Sequence, residues 1–134
     1  MKIGIPLPWL HLYALASLLV FLAHSWLVHQ GFPLPWWVTG HLNDLLCIPL
    51  VGVLALHGAW LRGKDRAWLA GRYHMLAVVA IFSVYFEVYL PAVSPRYTGD
   101  PLDVLCYAIG ALVFLGLQRL GSGPGHRRCR PRLR

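Results

Sequence analysis

The stretch Val38–Leu61, VTGHLNDLLCIPLVGVLALHGAWL, followed at once by RGKDR (62–66), decides the fold. A hydrocarbon core of about 30 Å needs about 20 helical residues at 1.5 Å per residue, and this apolar run is long enough to cross it. Working outward, three more stretches of that length appear: Pro8–Val28, Trp68–Leu90 and Pro101–Leu120. Their connections are short and rich in Pro, Gly or charge, so successive helices should be antiparallel neighbours. With 57% hydrophobic and 13% charged residues, the chain is too apolar for a soluble domain of its length. The reading is an all-α polytopic membrane protein. Residues 1–120 form a four-helix transmembrane bundle, and residues 121–134 form a basic, disordered cytoplasmic tail.

The charges orient the bundle. All cations except Arg96 lie in alternate gaps: Lys2, then Arg62, Lys64, Arg66 and Arg72, then Arg119 and the arginines of the tail. The other gaps hold Asp44, Glu87, Asp100 and Asp103. Because cytoplasmic loops collect Lys and Arg, both termini and the middle loop should be cytoplasmic, as in a multi-pass protein of a bacterial inner membrane. The tryptophans agree: Trp9, Trp60 and Trp68 fall at inner ends and Trp26, Trp36 and Trp37 at outer ends, where indole prefers to sit. Pro6, Pro8, Trp9 and His11 argue that the first span is a retained helix rather than a cleaved signal. The net charge of +7 lies in membrane-flanking segments, which points to anionic lipid headgroups, bound through the tail, and not to nucleic acid.

Inside the spans, Pro49 should kink the second helix. Ala55 with Ala59, Ala77 with Ala80, and Gly110 with Ala111 offer smooth faces for helix packing. Cys47, Cys106 and Cys129 form no Cys-x-x-Cys pair, so neither a disulfide framework nor a zinc site is indicated.

Polar side chains fit for specific work gather at the ends expected outside, among them His24, His29, Asn43, Tyr97 and Thr98. Asp100 fits a helix N-cap, with Pro101 at the first helical position and Asp103 in the first turn, where carboxylates meet free N–H groups. Glu87 follows the apolar run Val78–Phe86, and a carboxylate at that depth should point into the bundle. Its expected partners are Arg96, or a proton or metal shared with Asp103 or Asp44. His41 and Asp44 share a helix face. With Glu87 and Asp103 they offer a hard N/O site or an acid/base pair, although such spacing is more often a capping and interface feature than a ligand set, and no metal is expected. His11, His57 and His74 lie near inner helix ends, where reaching out to headgroups is the ordinary reading. A haem pair would need two histidines facing each other across helices at usable depth, such as His24 and His41, and no cofactor is expected.

The segment from Glu87 through Pro91, Arg96 and Asp103 to Gly110 resembles the C-terminal half of the VanZ-like family of small bacterial membrane proteins. Leu90 and Tyr107 stand where that family often has Gln and Asn. The resemblance implies a four-helix cell-envelope protein with a family link to glycopeptide resistance. The expected function is binding of a polar headgroup or lipid-linked intermediate at the outer face. Arg96 and His41 would make the anion contacts there, with Asp44, Glu87 and Asp103 as polar or acid/base groups. The alternatives are an accessory or assembly subunit with a membrane protein partner, and a small proton- or cation-coupled transporter. The transporter is disfavoured because no span carries an ionisable residue at its centre. No nucleophile stands beside a base in a recognisable motif, so a catalytic role is left open.

The charge map makes a direct prediction. In a background lacking the native cysteines, Asp65→Cys should be modified by an impermeant maleimide only after the cells are opened; modification in intact cells would invert the topology.

Overall fold

The computed structural model describes residues 7–64 and 69–121. Lys2, Arg66, Trp68 and the tail from Ser122 onward lie outside the described residues. The protein is all-helical, with no strand among the described residues. Four apolar helical spans make it a multi-pass membrane protein: Pro8–His29, Trp36–Leu61, Arg72–Val93 and Pro101–Gly121. Three are single helices, α1 (Pro8–His29), α2 (Trp36–Leu61) and α5 (Pro101–Gly121). The third span is composite, with α3 (Arg72–Ser83), a π-helical segment (Val84–Tyr89) and α4 (Leu90–Val93).

Local chemistry sets the helix ends. Pro8 opens α1 at a position whose N–H has no helical partner anyway. α1 closes with Gly31 at φ 70°, its N–H on the Val28 carbonyl and the Phe32 N–H on the Leu27 carbonyl. α2 closes in the same way at Gly63, φ 88°, with the Lys64 N–H returning to Ala59. In both turns only glycine adopts the left-handed conformation without a Cβ penalty.

The third span departs from expectation. Its helix runs on to Val93, so Pro91 lies inside it rather than in a loop. A proline has no N–H for the carbonyl four residues back, here that of Glu87. The wider i→i+5 register of Val84–Tyr89 is the local response.

α2 and α5 form the central pair, with α1 packed on both and α3 chiefly on α5. Ile48, Pro49, Val53, Leu56, Tyr107, Ala111 and Phe114 are buried between them. Much of the remaining apolar surface faces outward: Leu54 is 71% and Leu112 68% exposed, as lipid-facing side chains are. Small residues allow the close approach of the central pair. A Cβ on Gly52 would lie 2.7 Å from the Phe114 ring, and one on Gly110 would lie 2.7 Å from the Leu45 carbonyl oxygen. Leu45 is four residues before Pro49, so its carbonyl lacks the ordinary helical N–H, and the backbone of Gly110 covers it. Of the small-residue faces expected from sequence, Gly110–Ala111 is buried, whereas Ala55, Ala77 and Ala80 are exposed. Gly52 is the packing glycine that spacing did not single out.

At the basic end, where α2 finishes and α3 begins, Gln118 is buried and its amide clamps a backbone. Nε2–H donates to the Ala70 carbonyl at 2.8 Å, and Oε1 accepts the Ala70 N–H at 2.9 Å. This pairing fixes the entry to α3 against α5.

Two alanine substitutions separate tight from open glycines. Gly110→Ala should destabilise by about 1–3 kcal/mol, because the neighbour is backbone and cannot turn aside. Gly58→Ala meets nothing within 4 Å and should be neutral or stabilising by up to about 1 kcal/mol. Thermal melts in mild detergent check both.

Candidate functional site

Opposite the basic end is an acidic end, where α1 passes to α2 and α4 to α5. α5 starts there as its residues dictate. Asp100 caps it, Oδ1 accepting the Leu102 N–H at 2.9 Å, and Asp103 lies in the first turn. Both the N-cap and the free N–H groups favour negative charge at this position.

The preceding loop is tied back onto the third span. The Asp100 N–H donates to Glu87 Oε2 at 2.5 Å, and a Cβ on Gly99 would lie 2.5 Å from the Glu87 carbonyl oxygen. This is the carbonyl deprived of an N–H by Pro91. Glycine is required at residue 99 because its backbone is pressed against that oxygen.

From this anchor a polar network crosses to α2. His41 Nδ1 and Asp103 Oδ1 are 2.5 Å apart, with both side chains 16% exposed. A carboxylate only accepts, so Nδ1 carries a proton; Nε2 lies 4.0 Å from Asp100 Oδ2. One turn further along α5, the buried Tyr107 hydroxyl donates to Asp44 Oδ1 at 3.1 Å and faces Glu87 Oε1 at 3.5 Å. Its single proton cannot serve both carboxylates fully. Trp36 packs edge-to-face on His41 with centroids 5.7 Å apart, and Phe82 lies 6.1 Å from the Tyr107 ring.

Four of the five expected site residues, His41, Asp44, Glu87 and Asp103, therefore meet in one network. Arg96 does not join it: the residue is exposed in the loop, and it makes no ion pair with Glu87 among the described residues. His24 is buried, 5% exposed, and its ring nitrogens have no hydrogen-bond partner among the described residues; Asn43 Oδ1 and Ser83 Oγ are in the same position. His41 bonds Asp103, and no ring contact joins it to His24 among the described residues. His29, Tyr97 and Thr98 are exposed.

Tyr107 is the member that sequence reading passed over. The available signal was a polar aromatic one helical turn after Asp103, on the same face, within an apolar span.

Donors and acceptors do not balance. His41, Tyr107 and the Asp100 backbone supply one proton each, against three carboxylates whose oxygens each have room for further donors. Such a site accepts what brings donors or positive charge: hydroxyls, an ammonium group or a metal cation. The nitrogen and oxygen ligand atoms of His41, Asp44 and Asp103 lie within 4.8 Å of one another, so that small side-chain shifts would bring all three onto one cation.

The tie between loop and span is open to test. Gly99→Ala should cost about 1–3 kcal/mol through its clash with backbone. Asp100→Asn should keep the cap, whereas Asp100→Ala should lose about 0.5–2 kcal/mol. Thermal melts of the three variants in one detergent provide the comparison.

Compared with protein-family models, with curated proteins and with solved structures, the chain shows no match.

Proposed function

We propose that the protein is a VanZ-like factor of the bacterial cell envelope, and that its acidic end binds the polar headgroup of a lipid or lipid-linked intermediate. The protein sits in the inner membrane with both termini in the cytoplasm, so this end meets the outer leaflet. The observation that carries the reading is the surplus of acceptors in the His41–Asp103 and Asp44–Tyr107–Glu87 network. Sugar hydroxyls or an amine satisfy that surplus, and a phosphate alone does not. Arg96, exposed in the loop before α5, would meet the phosphate of such a headgroup. In its neutral form His41 Nε2, backed by Asp103, is the group able to take a proton from a bound hydroxyl.

A second reading has its own support. His41, Asp44 and Asp103 offer one nitrogen and two carboxylates at ligating distance, which favours a hard divalent cation and the cation-coupled alternative.

Native mass spectrometry from mild detergent tests both. The wild-type protein should retain a polar lipid, and Glu87→Gln and Asp103→Asn should lose it while melting near the wild-type temperature, since charge is removed and shape kept. Retention of a metal ion in place of lipid would favour the cation reading. If both amide variants keep the lipid, or fail only by unfolding, the carboxylates are architectural and the binding function is wrong.

A further inference from the structure

At the basic end, far along α1 and α2 from the acidic network, two histidines meet nitrogen to nitrogen. His11, in the first turn of α1, and His57, in the last turns of α2, hold their Nε2 atoms 3.1 Å apart. The other nitrogen of each ring is already committed. His11 Nδ1 bonds the Leu7 carbonyl at 2.9 Å, and His57 Nδ1 bonds the Val53 carbonyl at 2.8 Å. A carbonyl only accepts, so each Nδ1 must carry an N–H. A neutral imidazole protonated at Nδ1 has a bare lone pair at Nε2. Two such lone pairs at this separation repel each other unless an electrophile lies between them.

The electrophile is either a proton or a metal ion, and ring geometry discriminates. The rings are nearly perpendicular, at 86°, with centroids 4.9 Å apart. That is closer than two imidazoles aligned head-on across the same N–N gap would stand, so the lone-pair axes are bent off the line joining the nitrogens. A shared proton favours a near-linear bridge. A tetrahedral metal ion requires a bent one, and at metal–nitrogen distances of about 2.0–2.1 Å it holds two imidazole nitrogens roughly 3.3 Å apart. The committed Nδ1–H groups add a second argument. Metal-binding histidines ordinarily donate their far N–H to a carbonyl or carboxylate, which fixes the tautomer and aims the ring.

We propose that His11 and His57 form a two-imidazole site for a divalent d-block cation of the Zn2+ class. The ligand type suits such ions and not Mg2+ or Ca2+, which take oxygen. Both histidines are half-buried, and Trp60 packs on His57 with centroids 5.1 Å apart. A bound ion would join the start of α1 to the end of α2, and it is independent of the ligand at the acidic end.

The test uses the full chain in mild detergent, in a Cys129→Ser, His126→Ala background that removes competing donors from the tail. Titration with Co2+, read by the visible bands of tetrahedral cobalt and reversed by Zn2+, should show a single equivalent. His11→Ala and His57→Ala should each weaken binding at least tenfold, while His74→Ala and Asp103→Asn leave the tetrahedral signal in place. Zn2+ should also raise the melting temperature of the parent protein and not that of His57→Ala, a readout that survives if the variants are merely less stable. The proposal is overturned if the parent shows neither signal, since the imidazoles would then only share a proton. It is equally overturned if both signals persist in the histidine variants.

Discussion

A proline in a lipid-embedded helix leaves one backbone carbonyl without its N–H, and no water is at hand in hydrocarbon to replace it. The protein meets this constraint twice. Pro49 frees the carbonyl of Leu45, and Gly110 of α5 lies against it; Pro91 frees that of Glu87, and Gly99 lies against it. In each case a glycine brings backbone where any side chain would collide. A Cα–H···O contact is the weak bond such a recurring geometry accommodates. The first contact sets how closely α5 approaches α2, and the second holds the loop that leads into α5. Both must be in place before Asp103 and Tyr107 can face His41 and Asp44.

The polar network depends on this placement and returns some stability to it. An N-cap at Asp100, a charge-assisted bond from His41 to Asp103 and the Tyr107 hydroxyl on Asp44 link the central helices at their acidic end. Such bonds are stronger where water is excluded, and an acceptor left unpaired there is correspondingly costly. The network is therefore stable but incomplete. Its surplus of acceptors is the feature that distinguishes it from a purely structural lock such as the Gln118–Ala70 pairing, where one donor and one acceptor on each side are matched.

The two ends solve opposite problems with the same residue type. At the acidic end His41 donates its Nδ1 proton to the Asp103 carboxylate and sets Nε2 beside a further acid, Asp100. At the basic end His11 and His57 give their Nδ1 protons to carbonyls of their own chain segments and turn their Nε2 lone pairs toward each other. One arrangement attracts donors and cations through surplus oxygen, the other through converging nitrogen.

Length and hydrophobicity alone determined that the chain forms four membrane-spanning helices, because span length is set by bilayer thickness and every backbone group must bond within its own helix. Local rules likewise determined the Asp100 cap and the near-exact starts and ends of three spans, since caps and glycine turns act within a few residues. Proximity was decided only by tertiary structure. Nothing in the spacing of His11 and His57, which sequence reading sends separately to the headgroups, shows that antiparallel helices bring them nitrogen to nitrogen. Equally, Glu87 and Arg96 have complementary charges, yet the loop geometry set by Pro91 and Gly99 gives Glu87 to the Asp100 backbone and faces it toward Tyr107. The reason is physical: charge and apolar period are properties of single segments, whereas the partner of a buried polar group depends on which helix faces pack together, and here glycines at close contacts decide that.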